Sequence, residues 1–172
     1  LARTHHLFAG AGCRRFARQT ASAASQVSAF FASASAANFV VSGTTVTWTG
    51  GADFGYRRMI LHYAKLCAAA GGVDAFLIGS ELKGLTRVRD SATHYPAVAA
   101  LKTLAADVRA ILGSSTKLGY AADWSEYNNH QTSGGGVLFN LDALWSDPNI
   151  DFIGIDNYMP LADWRDGTLH RD

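Results

Sequence analysis

The chain has 172 residues, of which 48% are hydrophobic and 17% charged, and its formal net charge is +1. This composition predicts one globular domain, or a large piece of one, and argues against a chain that is disordered throughout. The balanced charge excludes bulk attraction to nucleic acid or an anionic membrane, and no apolar run approaches the roughly 20 residues that span a bilayer.

Residues 1–18 lack a clear hydrophobic period, and we interpret them as a lead-in of uncertain structure before a domain over 19–172. This amino end has no initiator Met and no secretory-signal pattern, so we expect the chain to be an excised or truncated piece. Cys13 and Cys67 are too few and too far apart for a metal cage. We expect Cys67 to be a buried free thiol, with no disulfide framework.

The first half of the predicted domain contains two helices around a hairpin. The Ala- and Ser-rich stretch 19–37 predicts a helix that buries Val27, Phe30 and Phe31. β-branched and aromatic residues over 39–48 predict a strand pair or short hairpin. A three-and-four spacing then predicts a helix from 56 to 70, and its expected buried face consists of Tyr56, Met59, Ile60, Tyr63, Leu66 and Cys67.

Three short apolar runs, at 74–81, 117–122 and 151–155, predict buried parallel strands. A helix from Pro96 to Gly113 separates the first two, and a short helix within 137–145 separates the last two. This alternation predicts an α/β fold, either a (β/α)8 TIM barrel or an open doubly wound sheet, and we favour the barrel. No glycine-rich phosphate-binding motif follows any strand, so a nucleotide site has no support.

Polar and aromatic residues follow each predicted strand. Because the carboxyl ends of adjacent parallel strands meet at one edge, we expect these side chains to lie together. Carboxylates beside flat aromatic rings suit sugars, which stack their C–H faces and hydrogen-bond through their hydroxyls. The residues at these ends are Ser80 and Glu81 at the first strand, Asp123, Trp124, Glu126 and Tyr127 at the second, and Asp156, Asn157 and Tyr158 at the third.

Cleavage of a glycosidic bond needs one carboxylic acid and a second carboxylate. Glu81 is the predicted acid/base, and Asp123, Glu126 and Asp156 are the candidates for the second group. Each also has a structural alternative. Glu81 could cap the next turn or pair with a nearby cation, the two aspartates could cap helices or hold loop amides, and Glu126 could be solvated.

Other chemistries have weaker support. His62, His94 and His130 lack a second ligand at metal spacing, so the sequence predicts solvated or locally bonded His and no metal site. No Ser lies in a Gly-x-Ser-x-Gly elbow, which leaves a serine hydrolase without its nucleophile signature. No cofactor is predicted.

Four segments resemble the TIM-barrel-like domain of gene transfer agent and phage tail-tip proteins. They are 56–64 (YRRMILHYA), 71–82 (GGVDAFLIGSEL), 120–127 (YAADWSEY) and 151–161 (DFIGIDNYMPL). The resemblance extends over about 26–167 and is densest from Tyr56 onward.

The resemblance implies a glycoside-hydrolase-like fold, of which this chain is a partial (β/α)8 barrel containing about strands three to six. In related hydrolases the acid/base Glu ends the fourth strand and the nucleophile Glu ends the seventh. Glu81 matches the first, and the second is expected beyond Asp172. The resemblance also implies one domain of a baseplate protein, made in the bacterial cytoplasm and placed at the tail tip of a phage-like particle with its other domains and neighbouring tail proteins.

The leading hypothesis is therefore a hydrolase-like module that acts on or binds host cell-envelope polysaccharide during attachment. Trp124, Tyr127, Asn157 and Tyr158 would line the sugar subsites. The main alternative is a non-catalytic structural or glycan-binding barrel of the baseplate, so enzyme activity stays open. A third hypothesis is an unrelated intracellular α/β enzyme.

Overall fold

The structure is a computed structural model that describes residues 21–158. The predictions for 1–18, including Cys13, lie outside the described residues. Helices cover one side of a three-stranded parallel sheet, and an antiparallel hairpin packs against the second helix. The elements are α1 (Ala21–Phe31), β1 (Phe39–Ser42), β2 (Thr45–Trp48), α2 (Tyr56–Ala69), β3 (Ala75–Ser80), α3 (Lys83–Thr86), α4 (Pro96–Leu112), β4 (Lys117–Asp123), β5 (His130–Gln131), β6 (Val137–Leu138), α5 (Asp142–Trp145) and β7 (Phe152–Asp156).

The central sheet has the order β3-β4-β7, with both pairs parallel, which confirms the predicted α/β class. Its side chains alternate between two faces, as in any strand. Ile78, Leu118 and Tyr120 are buried, with Tyr120 at 0% exposure. These residues join the same hydrophobic core as Leu101 and Leu104 of α4.

The prediction that all three strands are covered on both faces is wrong for the described residues. Leu77 of β3 is 45% exposed, and Ile153 and Ile155 of β7 are 51% and 42% exposed. Leu77 pairs with Gly119 and points away from the helices. Ile153 and Ile155 share the helix-covered face with Tyr120, but they lie on the edge strand β7, beyond the helices that pack on β3. Within residues 21–158, the sheet therefore presents an open face and two edge strands.

The amino-terminal elements largely follow their predictions. α1 ends at Phe31 rather than near 37, because Ala32 takes a left-handed φ of 56° that stops the helix. Val27 and Phe31 are buried, whereas Phe30 is 37% exposed and stacks on Tyr56. The hairpin β1-β2 is confirmed, and Gly43 provides the positive φ of its two-residue turn.

The extent of α2 is confirmed, but its predicted buried face is partly wrong. Met59 and Tyr63 are 47% and 56% exposed, and the buried residues are Ile60, Leu61 and Ala64. The helix is rotated because it packs on α4, where its Arg57 pairs with Asp107. Cys67 is a free thiol, but it is half-buried rather than buried.

The extent of α4 is also confirmed, with Pro96 in its first turn and a positive φ at Gly113 after its end. The predicted helix over 137–145 is only partly correct. Val137–Leu138 forms β6, paired with β5, and only Asp142–Trp145 is helical. Gly135, with a φ of 80°, allows the tight reversal that brings these two strands together.

A β-bulge ends β3 and decides which way its last side chain points. Leu77 pairs with Gly119 and Ser80 with Ala121, so β3 has one residue more than β4 in this interval. The extra residue fits only as Gly79, whose added Cβ would lie 2.7 Å from Tyr56 Oη and 3.1 Å from the Tyr120 ring. Because of the bulge, Ser80 points to the open face, on the same side as Ala121.

Candidate functional site

The carboxyl ends of β3, β4 and β7 lie side by side, which confirms the predicted arrangement. Glu81 follows β3, while Asp123 and Asp156 are register partners at the ends of β4 and β7. Ser80 Oγ donates a hydrogen bond to Asp156 Oδ2 at 2.8 Å, and Glu81 N donates to Ala121 O at 2.8 Å. We call Glu81, Asp123 and Asp156 the carboxylate cluster.

Glu81 has an unusual backbone conformation. Its φ is 52°, in the left-handed region where a side chain with a Cβ costs about 1 to 2 kcal/mol. Two hydrogen bonds hold this conformation, from Glu81 N to Ala121 O and from Leu82 N to Tyr120 Oη, each 2.8 Å long. The side chain itself is exposed at the sheet edge. Strained backbone of this kind is found preferentially at functional sites.

The strained backbone at Glu81 predicts which of two variants is the more stable. Glu81→Gly should be more stable than Glu81→Ala by about 1 kcal/mol, because only Gly adopts a positive φ without steric cost. Urea unfolding of both variants measures the difference through their transition midpoints. An alanine variant as stable as the glycine variant would show that Glu81 is not strained.

Asp123 is held as an ionised carboxylate. Burial opposes its ionisation, but hydrogen bonds from Ser125 Oγ and N and the nearby Lys83 ammonium outweigh burial and lower the pKa of Asp123. Ser125 N lies 2.8 Å and Lys83 Nζ 3.5 Å from Asp123 Oδ1. Asp123 therefore holds the Ser125 amide, which is the structural alternative predicted for this residue.

Tyr158 places an exposed aromatic ring beside the carboxylate cluster. It is 68% exposed, and its hydroxyl hydrogen-bonds to Glu81. The negative charge of Glu81, followed by slight burial and the charges of Asp156 and Asp123, raises the pKa of Tyr158. All three members of the carboxylate cluster therefore raise the pKa of the Tyr158 hydroxyl. Asn157, next to this ring, is also exposed.

Trp124 and Tyr127 line a cavity of about 480 Å³ beside the cluster, which we call the side cavity. Trp124 is 39% exposed, and its backbone N donates to Asp156 O at 3.1 Å. Tyr127 is half-buried against the hydrophobic core, and its carbonyl accepts a hydrogen bond from Trp145 Nε1. Among residues 21–158, the remaining lining residues are Lys83, Arg87, Ser125, Asn128, Asn129 and Gln131.

Glu126 does not lie at the exposed edge, and the alternative of a solvated Glu126 is wrong. Its exposure is 0%, and its carboxylate accepts hydrogen bonds from Thr86 Oγ1, Tyr120 Oη and Asp123 N. Burial raises the pKa of Glu126, although these hydrogen bonds oppose the shift. The structure therefore places Glu126 beneath the site, where it connects α3 to the end of β4.

The sequence did not predict Thr86 and Tyr120 as parts of this region. Tyr120 Oη accepts from Leu82 N and donates to Glu126 Oε1, so it joins the segments that follow β3 and β4. An aromatic residue on a buried strand is expected in any core, so no sequence signal marks this role. Lys83, the cation nearest to Glu81 in the sequence, contacts Asp123.

Residues 21–158 contain no group of three or more His, Cys, Asp or Glu side chains arranged to hold a metal ion. The three His occupy separate places. His62 packs near Phe39, His94 Nδ1 lies 2.8 Å from Asp90 Oδ1, and His130 contacts Tyr95. None of the helices in the described range has the length and apolarity of a membrane span.

Comparison with known proteins identifies the family. The model of the GTA (gene transfer agent) TIM-barrel-like domain matches residues 54–172. No curated protein shows significant similarity to the chain. The match begins just before α2, so α1 and the hairpin precede it, and the resemblance inferred from about residue 26 begins earlier than the matched region. The chain belongs to the family of gene transfer agent TIM-barrel-like domains.

Proposed function

We propose that this gene-transfer-agent-associated module binds host cell-envelope polysaccharide at a particle tail tip and acts on it as a glycoside-hydrolase-like partial (β/α)8 barrel. The observation that carries the proposal is the carboxylate cluster beside the exposed rings of Tyr158 and Trp124. Family membership supports the association with a gene transfer agent. Other domains of the same tail protein are its proposed neighbours.

The side chains at the carboxyl ends of β3, β4 and β7 suit a sugar chain. Ionised carboxylates accept hydrogen bonds from hydroxyls, and an exposed aromatic ring stacks on the apolar C–H face of a pyranose. Tyr158 combines both properties, since its ring is exposed and its hydroxyl contacts Glu81. A saccharide on Tyr158 would therefore have its hydroxyls within the carboxylate cluster.

Hydrolysis requires a proton donor and a carboxylate with a different role. We assign the acid/base role to Glu81, which is exposed at the end of β3. Asp123 is suited to the opposite role, because its hydrogen bonds and Lys83 keep it ionised. Asp156 is the other candidate, with Ser80 fixing one of its oxygens.

The proposal predicts that Tyr158→Ala weakens retention of the full chain on immobilised envelope polysaccharide by about tenfold, because one stacked ring contributes on the order of 1 kcal/mol or more. Tyr63→Ala is the matched control, since Tyr63 is similarly exposed on α2 and outside the site. Affinity electrophoresis measures the retention. Equal loss in both variants, or no loss in either, would contradict the proposed site.

A non-catalytic, glycan-binding barrel is the second candidate. It is favoured by the contacts of Asp123 and Asp156, since both carboxylates already hold protein donors. Binding without release of reducing ends supports this candidate, whereas release that depends on Glu81 supports the hydrolase.

A further inference from the structure

We propose that the side cavity binds an anionic sugar unit, carrying a carboxylate or a phosphate, next to the unit held at the carboxylate cluster. This inference deepens the proposed function and rests on it, because it names the class of polysaccharide that the edge would take. The cavity volume of about 480 Å³ lies within the range of small-molecule sites.

The charges of the lining carry the inference. Lys83 and Arg87 both line the side cavity, and none of the described lining residues is an Asp or Glu. The carboxylate cluster next to it has the opposite sign. A saccharide with an anionic group would be repelled at the cluster and attracted at the cavity, which sets the direction in which the chain lies.

Arg87 provides the second positive charge of the side cavity. One of its terminal nitrogens donates to the carbonyls of Ser125 and Asn129, which fixes the guanidinium against the loop after β4. Guanidinium groups recognise planar oxyanions through several donors at once.

Trp124 and three amides complete a sugar subsite. Trp124 is 39% exposed, so part of its surface is available for stacking against a sugar ring. Asn128, Asn129 and Gln131 provide side-chain amides that can donate to and accept from hydroxyls. The cavity therefore combines an apolar wall, neutral polar groups and two cations.

The side cavity adjoins the carboxylate cluster. Lys83 Nζ lies 3.5 Å from Asp123 Oδ1 and also donates to Ser125 Oγ, which in turn donates to the same Asp123 oxygen. Trp124 follows Asp123 directly in the chain. Adjacent units of one polysaccharide would then occupy both places.

The test uses probes that share one backbone and differ in charge. The full chain is titrated calorimetrically with cellohexaose, with its C6-oxidised glucuronate form and with its C6-phosphorylated form. We expect the charged probes to bind about tenfold more tightly than cellohexaose, since a hydrogen bond to an ionised group contributes more than a neutral one. The preference should shrink as ionic strength rises. Comparing the affinities of the oxidised and phosphorylated probes identifies whether a carboxylate or a phosphate is recognised.

Lys83→Gln tests whether the anionic unit binds in the side cavity, because it removes the charge and keeps a polar side chain. It should abolish the preference for charged probes, and Lys83→Arg should retain it. Lys65→Gln, on α2 and outside the cavity, is the matched control and should leave the preference intact. Equal affinity for charged and neutral probes, no binding of the charged ones, or a preference that survives Lys83→Gln would overturn the inference.

The outcomes separate this inference from the function on which it rests. Neutral probes that bind with dependence on Tyr158, without preference for charge, would overturn the anionic subsite and leave the saccharide site standing. Binding of charged probes that depends on Lys83, together with no retention on envelope polysaccharide, would overturn the proposed function and support the selectivity of the cavity.

Discussion

Glu81→Gln should reduce the release of reducing ends from host-envelope polysaccharide by at least about 100-fold, because general acid–base catalysis typically contributes that much or more. The amide has nearly the shape of the carboxyl group but donates no proton to a leaving oxygen. The backbone at Glu81 is fixed by hydrogen bonds from Glu81 N and Leu82 N, which the substitution leaves in place. The expected defect is therefore chemical rather than structural.

Asp74→Asn is the matched control, since Asp74 precedes the same strand at its opposite end and is exposed. It should release reducing ends at the unmodified rate. Both variants should unfold at the same urea concentration as the parent. Undiminished activity in Glu81→Gln would remove Glu81 from the mechanism, and activity lost equally in both variants would point to a general effect on folding.

Glu126→Leu should lower the free energy of unfolding by about 2 to 4 kcal/mol, since it leaves two buried donors and one partly buried donor without their acceptor. These donors are Thr86 Oγ1, Tyr120 Oη and Asp123 N. Chemical denaturation measures the loss. A variant as stable as the parent would show that the buried carboxylate does not hold these segments together.

The pH dependence of stability checks the same residue. Burial raises the pKa of Glu126 above the ordinary value of 4.5, so the folded state retains the proton more strongly than the unfolded chain. The stabilisation from this proton is complete below the unfolded pKa and is lost as pH rises through the folded pKa. The parent should therefore gain stability relative to Glu126→Leu as pH falls toward 4.5. A constant difference between the two proteins would contradict the raised pKa.

The parallel sheet and its polar edge could be predicted from the sequence, because both depend on short-range patterns. Each apolar run ends in a carboxylate, and the βα alternation brings the ends of β3, β4 and β7 together. Pro96 and Gly113 mark the ends of α4 for local steric reasons.

Other features depend on contacts between distant segments, which periodicity does not contain. The bulge at Gly79 arises from the fit against Tyr56 and Tyr120, 23 residues before it and 41 after it by subtraction of their numbers. The buried place of Glu126 depends on Thr86 and Tyr120, on other elements. For the same reason, the face that α2 buries follows its packing on α4 rather than its strongest apolar stripe.

The most direct test of the saccharide site is an NMR titration of the full chain with fragments of envelope polysaccharide. The account predicts that the largest amide shifts fall at Glu81, Asp123 and Trp124, with a further group at Asp156 and Tyr158. Shifts concentrated near Asp74 and Lys117, at the other end of the sheet, or no shifts at saturating fragment, would contradict it.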